Sequence, residues 1–205
     1  METEIAKYLL ETKAVFLNPK DPFTWASGIK SPIYCDNRIL LSFPEIRSKV
    51  IDAFVKLIKD KFPQTDCIAG VATAGIAHAA LIAEKMNLPM IYIRSSAKDH
   101  GRSKQIEGKL NPGAKVVVIE DLISTASSSL KAMTALETED VEVLGLAAIF
   151  TYGLEKANNN LANANVAAFT LSNYEALIDV ALEENYIEEA DMDLLKNWKK
   201  ELVSS

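Results

Sequence analysis

The stretch Lys115-Val-Val-Val-Ile119-Glu120-Asp121-Leu-Ile-Ser124-Thr125-Ala126-Ser127-Ser128-Ser129 joins an unbroken apolar run to two carboxylates and then to a string of small hydroxylated residues. An apolar run without alternation suits a strand buried on both faces, and such strands belong to parallel sheets covered by helices. Working outward, the same rhythm repeats. Cys67 to Val71 is a short apolar strand, Ala72 to Gly75 a turn, and Ile76 to Met86 a helix. Met90 to Ile93 gives a second strand, followed by a long polar stretch over 95–113. After the strand at 115–119 come a helix over 127–136, a strand over 141–151, a helical turn near 154–160 and a fifth strand over 166–170. Strands alternating with helices predict an α/β fold with a central parallel sheet of about five strands.

The flanks differ from this core. Residues 2–13 read as a helix, and 18–38 mix Pro, Ser and Gly with aromatics, which predicts short strands and turns. Phe43, Ile46, Val50, Phe54 and Leu57 recur at helical spacing, so 43–61 is an amphipathic helix with an expected capping box at Ser42 to Glu45. A second capping box is expected at Ser172 to Glu175, opening the C-terminal helices, where Tyr174, Tyr186 and Trp198 serve as packing. The 205 residues fit one domain, divided into an N-terminal hood and helix (1–62), an α/β core (63–172) and C-terminal helices (173–205).

Charge narrows the class of function. The net charge of −6 disfavours a protein that coats nucleic acid. Residues 171–205 carry nine acids against three lysines, so that tail alone accounts for the −6 and the rest is neutral. Cys35 and Cys67 are far apart and have no His or Cys at ligand spacing, which argues against structural zinc and disulfides and for a cytoplasmic setting. The start Met-Glu-Thr-Glu-Ile-Ala-Lys does not resemble a signal peptide. The longest uncharged run, 67–83, is interrupted by Gly70, Gly75, Thr73 and His78, so no membrane span is expected.

In such a sheet, ligands bind beyond the carboxyl ends of the strands. Glu120 and Asp121 stand at one such end, where they suit sugar hydroxyls or a hard cation. Ser124 to Ser129 open a helix whose free N–H groups suit an anion, although no Gly-Lys-Ser/Thr ending makes this a Walker loop. Edge carboxylates and plain helix caps are the structural alternative. Gly70-Val-Ala-Thr73-Ala-Gly75 is a tight turn that either admits a phosphate or only packs strand against helix. Between Arg94 and Lys109, five Lys or Arg face Asp99 and Glu107, with His100 among them. This cationic stretch suits a polyanionic ligand or, alternatively, a solvated surface. His78 is expected to be a satisfied core or interface histidine rather than a catalyst, and neither cysteine has a partner that would activate it.

The run from Val116 to Ser128 resembles the phosphoribosyl-diphosphate (PRPP) motif of the type I phosphoribosyltransferases. Arg94, Lys98-Asp99-His100-Gly101 and Gln105 to Gly108 are similar to the orotate phosphoribosyltransferases in particular, as is the segment from Phe23 through Ser27, Gly28, Lys30 and Pro32 to Arg38. The resemblance implies transfer of phosphoribose from PRPP to orotate with Mg²⁺, giving orotidine 5′-monophosphate and diphosphate in de novo pyrimidine (UMP) synthesis. It implies that Lys98, His100 and Asp121 are catalytic. PRPP would be held by Thr73, Ala74, Gly75, Arg94, Lys98, His100 and the run Glu120, Asp121, Leu122, Ile123, Ser124, Thr125, Ala126, Ser127 and Ser128. Glu120 and Asp121 would meet the metal indirectly, through ribose hydroxyls or water. Orotate would lie near Ser27, Gly28, Lys30 and Ser124.

A homodimer sharing the 94–109 loop across its interface is also implied, with no nucleic-acid or membrane partner. Three positions depart from the family pattern: Ala126 replaces a usual glycine, Ser95 a lysine and Ala26 another lysine. If position 126 needs positive φ, alanine there is strained. Two other readings stay open. A purine phosphoribosyltransferase would share 116–128 but lack the 98–101 and 23–38 segments, whereas a PRPP-sensing regulator would keep the site without catalysis.

Overall fold

The computed structural model describes residues 1–24, 30–95 and 105–203, except for the side chains of 201–203. Helix α1 (Glu2–Glu11) leads into four short strands, β1 (Val15–Leu17), β2 (Phe23–Thr24), β3 (Lys30–Ser31) and β4 (Ile33–Cys35). A 3-10 turn over Asn37–Ser42 and helix α2 (Pro44–Lys61) follow. Next come β5 (Cys67–Val71), α3 (Ala74–Met86), β6 (Met90–Ile93), β7 (Ile106–Glu107), β8 (Ala114–Ile123) and α4 (Ser127–Met133). The chain ends with β9 (Val141–Thr151), α5 (Glu155–Asn163), β10 (Ala168–Asn173), α6 (Tyr174–Glu183), a 3-10 turn over Glu189–Asp191 and α7 (Met192–Val203).

The main sheet has the order β10-β9-β8-β5-β6-β7 and is parallel except for β7, which runs antiparallel to β6. Its centre is buried on both faces: Val116 to Ile119 and Leu146 to Phe150 have no exposed surface. This is why their sequences show no alternation. Two antiparallel pairs, β1 with β4 and β2 with β3, make the hood. The hood is tied down from the far end of the chain, where the Trp198 indole donates to the Lys30 carbonyl at 3.1 Å.

Several expectations need correction. The sheet has six strands, because two residues inside the polar stretch 95–113 pair with β6. The fifth predicted strand begins and ends later, at Ala168–Asn173. The box at Ser42 does not form, since the 3-10 turn consumes Ser42 and Phe43 precedes α2 without a side-chain cap. At the other predicted box the cap is Asn173, which accepts from the Ala176 N–H at 2.9 Å. Ser172 is buried instead and donates to the Glu2 carbonyl. Tyr174 and Trp198 pack at 5.5 Å, whereas Tyr186 is 52% exposed.

Candidate active site

The site is built on the carboxyl end of β8, which outruns one of its neighbours. Pairing of β5 with β8 stops at Ile119, while β9 follows β8 to Ile123. The last residues of β8 therefore have a strand on one side only, and side chains can gather there. Glu120 is buried, accepting from the Ser129 hydroxyl at 3.2 Å and from the Asp121 N–H at 3.1 Å. Burial, reinforced by the adjacent Asp121 charge, pushes the Glu120 carboxyl up to about 8. Burial also raises Asp121, which is partly relieved by its interaction with Glu120, by backbone N–H groups and, least, by the charge of Arg38. Two crowded carboxylates held this way favour a ligand that donates hydrogen bonds or carries positive charge.

Beyond Ile123 the chain forms the hydroxyl-rich loop. Ala126 takes the left-handed conformation (φ 62°, ψ 0°) with its methyl buried, and α4 starts at the next residue. Ser127 and Ser128 are exposed at its first turn, and the Thr125 hydroxyl lies 3.1 Å from that of Ser127. The loop is held from behind. Thr151 Oγ1 donates to the Ile123 carbonyl at 3.1 Å, and Asn160 Nδ2 donates to the Thr125 carbonyl at 2.9 Å. Fixed carbonyls behind leave N–H and O–H groups in front, an arrangement that suits an anion.

The Thr73–Gly75 turn is pressed against the same strand. A Cβ at Gly75 would overlap the Ile119 carbonyl oxygen and lie 3.5 Å from Glu120 Cα. At Gly70 it would sit 2.9 Å from the Ala79 methyl. Close packing alone thus explains both glycines, and the same packing carries the exposed Thr73 to the side of the carboxylate pair. The Ala72–Thr73 peptide is cis.

Arg94 continues β6, and its N–H donates to the Gln105 carbonyl at 2.8 Å. Its guanidinium is 3.7 Å from Glu107, and Nη1 has no hydrogen-bond partner among the described residues. Lys30 is exposed on β3. Ser27, Gly28, Lys98 and His100 lie outside the described residues, as do Ala26, Asp99 and Gly101. The structure therefore brings together Thr73 to Gly75 and Glu120 to Ser128.

Sequence reasoning missed Asn37 and Asn160, whose contacts join residues 84 and 35 positions apart. Nothing local could have hinted at them, since Asn37 sits between Asp36 and Arg38 and Asn160 ends a run of three asparagines. His78 is fully buried as expected, but neither ring nitrogen has a partner among the described residues, and burial lowers it to about 4. Burial raises both thiols, Cys67 to about 11, consistent with unactivated cysteines.

The phosphoribosyl transferase domain family matches residues 37–185. Orotate phosphoribosyltransferase from Listeria innocua is 57% identical over 200 residues, covering 98% of this chain and 96% of the relative. The Enterococcus faecalis protein of the same name is 58% identical over 198 residues, covering 97% and 94%. Among solved structures, orotate phosphoribosyltransferase from Aeropyrum pernix superposes with a TM-score of 0.77 at 27% identity, covering 90% of this chain and 99% of that one.

Proposed function

The chain belongs to the orotate phosphoribosyltransferase family, and we propose how its residues carry phosphoribose from PRPP to orotate. The observation that carries this reading is the junction at the end of β8, where a buried carboxylate pair meets a rigidly backed hydroxyl loop and the Thr73–Gly75 turn. The 5′-phosphate sits on Ser124 to Ser128, whose backing fixes the position of the ribose. Leu122 and Ile123 contribute through the strand that aims the loop. Glu120 and Asp121 accept from the ribose hydroxyls, so the sugar lies with C1 toward the hood. The diphosphate lies along Thr73, Ala74 and Gly75, within reach of Arg94, Lys98 and His100. Orotate enters between Ser124 and the hood, near Ser27, Gly28 and Lys30.

Transfer breaks the bond from C1 to the diphosphate oxygen, and the electron pair leaves with diphosphate. N1 of orotate then supplies the new bond as its N–H bond breaks, and the proton passes to diphosphate or water. Positive charge gathers on the ribose and negative charge on the leaving group, so fixed cations beside the diphosphate stabilise the transition state more than the ground state. Lys98, Arg94 and a protonated His100 are those cations. Asp121, beside the ribose, stabilises the cationic sugar. Closing the 94–109 loop over the site excludes water that would otherwise capture that sugar.

The donor set also suits Mg²⁺ shared with the substrate. Glu120 and Asp121 crowd two charges that a cation would relieve, while no cluster of three or more His, Cys, Asp or Glu occurs among the described residues. The two carboxylates would thus hold the ion together with PRPP oxygens, directly or through water. When bound, Mg²⁺ supplies charge neutralisation of the diphosphate.

We further propose a single unit spanning 1–205, a homodimer that shares the 94–109 loop, and a cytoplasmic protein acting on small molecules rather than on nucleic acid. Among the described residues, no helix is long and apolar enough to cross a membrane. The test is the fall in orotate ultraviolet absorbance on mixing protein, PRPP and Mg²⁺, with a chelated control. Metal-dependent loss of orotate supports the reading. PRPP binding without consumption of orotate would instead mean a sensor or a different base.

A further inference from the structure

Asn37 opens the 3-10 turn at the edge of the hood and has no exposed surface. Its Nδ2 donates to the carbonyl of Asp121 at 2.7 Å. That carbonyl belongs to the part of β8 that β5 no longer accompanies, because β5–β8 pairing ends at Ile119. A side-chain amide has the same donor as a backbone amide, so Asn37 stands in for the missing strand. On the other side the Asp121 N–H is taken by the Glu120 carboxyl. Both polar atoms of the Asp121 backbone are therefore committed. The Cys35 thiol faces the side chain and the N–H of Asn37, and Asp36 caps the N–H of Arg38 at 3.2 Å. The whole segment from β4 to Arg38 is anchored through one amide to the strand that carries the carboxylates.

The amide is a poor stabilising device. Its Oδ1 is buried with no hydrogen-bond partner among the described residues. A buried acceptor left unsatisfied costs at least as much as one good hydrogen bond contributes, so the two offset each other. A residue with little net effect on stability, bridging the two halves of a site, is explained by geometry.

We propose that Asn37 is a positioning residue that sets the distance between the base-side segment of the hood and the ribose-side carboxylates. This rests on the orotate-transfer reading, and the experiment separates the two. PRPP is gripped by the hydroxyl loop, the Thr73–Gly75 turn and the Glu120 and Asp121 side chains, and of these Asn37 touches only the backbone carbonyl of Asp121. Loss of Asn37 should therefore leave PRPP binding alone while misplacing orotate relative to C1. A displacement of about 1 Å can lower the rate roughly 10²-fold.

The experiment compares the parent with Asn37→Ala and Asn37→Gln, measuring kcat and KM for orotate, the Kd for PRPP without orotate, and Tm. If the parent itself does not consume orotate, the functional reading fails and this inference falls with it. With an active parent, Asn37→Ala should lose about 10–100-fold in kcat/KM for orotate. Its PRPP Kd should stay within about threefold and its Tm within about 4 °C. Asn37→Gln, which keeps the amide donor on a longer stem, should recover part of the loss. The inference is overturned if folded Asn37→Ala keeps kcat/KM within threefold of the parent. It is equally overturned if PRPP affinity falls in step with turnover, because that outcome marks general damage to the strand end. Should Asn37→Ala fail to fold, Asn37→Ser carries the same expectations, since its hydroxyl is too short to reach Asp121.

Discussion

Replacing Glu120 with glutamine tests whether the carboxylate pair is held against the stability of the fold. The Glu120 side chain accepts from Ser129 and from the Asp121 N–H. Burial, with the Asp121 charge, raises its pKa from 4.5 to about 8 in the folded chain. In the unfolded chain it titrates at its ordinary value. Between those two values the folded state keeps a proton that the unfolded state has released, so stability falls as pH rises through this window. At about 1.4 kcal/mol per pH unit, the interval from 4.5 to about 8 amounts to a loss on the order of 5 kcal/mol. Glutamine has the shape of the neutral acid and carries no such liability.

Glu120→Gln should therefore match the parent within about 1 kcal/mol at pH 4.5 and exceed it by several kcal/mol at pH 8.5. For a chain of this size each kcal/mol moves Tm by roughly 2–4 °C, so a gain near 10 °C is expected at the higher pH. Thermal unfolding by circular dichroism, in chelated buffer and at one protein concentration, reads it directly. Titrating groups other than the neighbouring Asp121 are common to both proteins and cancel in the difference. Parallel Tm curves across pH 4.5–8.5, or a glutamine variant that is less stable at pH 8.5, would refute the reasoning. If Glu120 meets the ribose as proposed, the same variant should lose about 10²-fold in turnover.

His78 gives the opposite slope. Its folded value of about 4 lies below the ordinary 6.5, so the unfolded chain holds the extra proton and stability drops as pH falls between them. Urea midpoints should show His78→Leu near the parent at pH 7.5 and more stable by about 3 kcal/mol at pH 4, while equal differences at both pH values would exclude the effect. Gly75→Ala forces a methyl onto the Ile119 carbonyl, a backbone atom that cannot yield. It should lower stability by about 1–3 kcal/mol and weaken PRPP binding measured by calorimetry, and an unchanged variant would mean that the turn is not pressed on β8. Lys98→Ala should lower turnover about 10²–10³-fold with Tm unchanged, and near-parental turnover would remove it from the leaving-group site. Ala126→Gly relieves about 1–2 kcal/mol of left-handed strain but loses a buried methyl worth ~0.8 kcal/mol and gains unfolded-state freedom worth ~0.4–1 kcal/mol. Its Tm should stay within about 4 °C of the parent by calorimetry, and a rise above 10 °C would show that the loop is under greater stress than these terms allow.

What could be read from the sequence was what depends on burial and on neighbours along the chain. β8 and β9 were legible because a strand covered on both faces must be apolar throughout, and Val116 to Ile119 and Leu146 to Phe150 are. The carboxylates and the hydroxyl loop were legible because they interrupt that pattern at a strand end. β7 was not, because two residues have no periodicity and owe their strand character to β6. The cap of α2 was misplaced because the 3-10 turn held by Asp36 and Arg38 competes for the same residues, and Ser42 is part of it. Asn37 was invisible for a stronger reason. Its role exists only once residue 121 is brought beside it, and nothing in the local sequence reports that meeting.

Ala126 shows how far a local rule reaches. A family pattern with glycine suggests that alanine would alter the loop, yet the loop has φ 62° with alanine in place. The carbonyls of Ile123, Thr125 and Ala126 are each claimed from outside the turn, by Thr151, Asn160 and the N–H of Leu130. Three such bonds contribute about 1 kcal/mol apiece, against about 1–2 kcal/mol for one left-handed alanine. The surroundings decide the conformation, and the residue follows. What the hydroxyl loop requires is therefore the left-handed turn itself, which glycine makes easy and which Thr151 and Asn160 enforce without it.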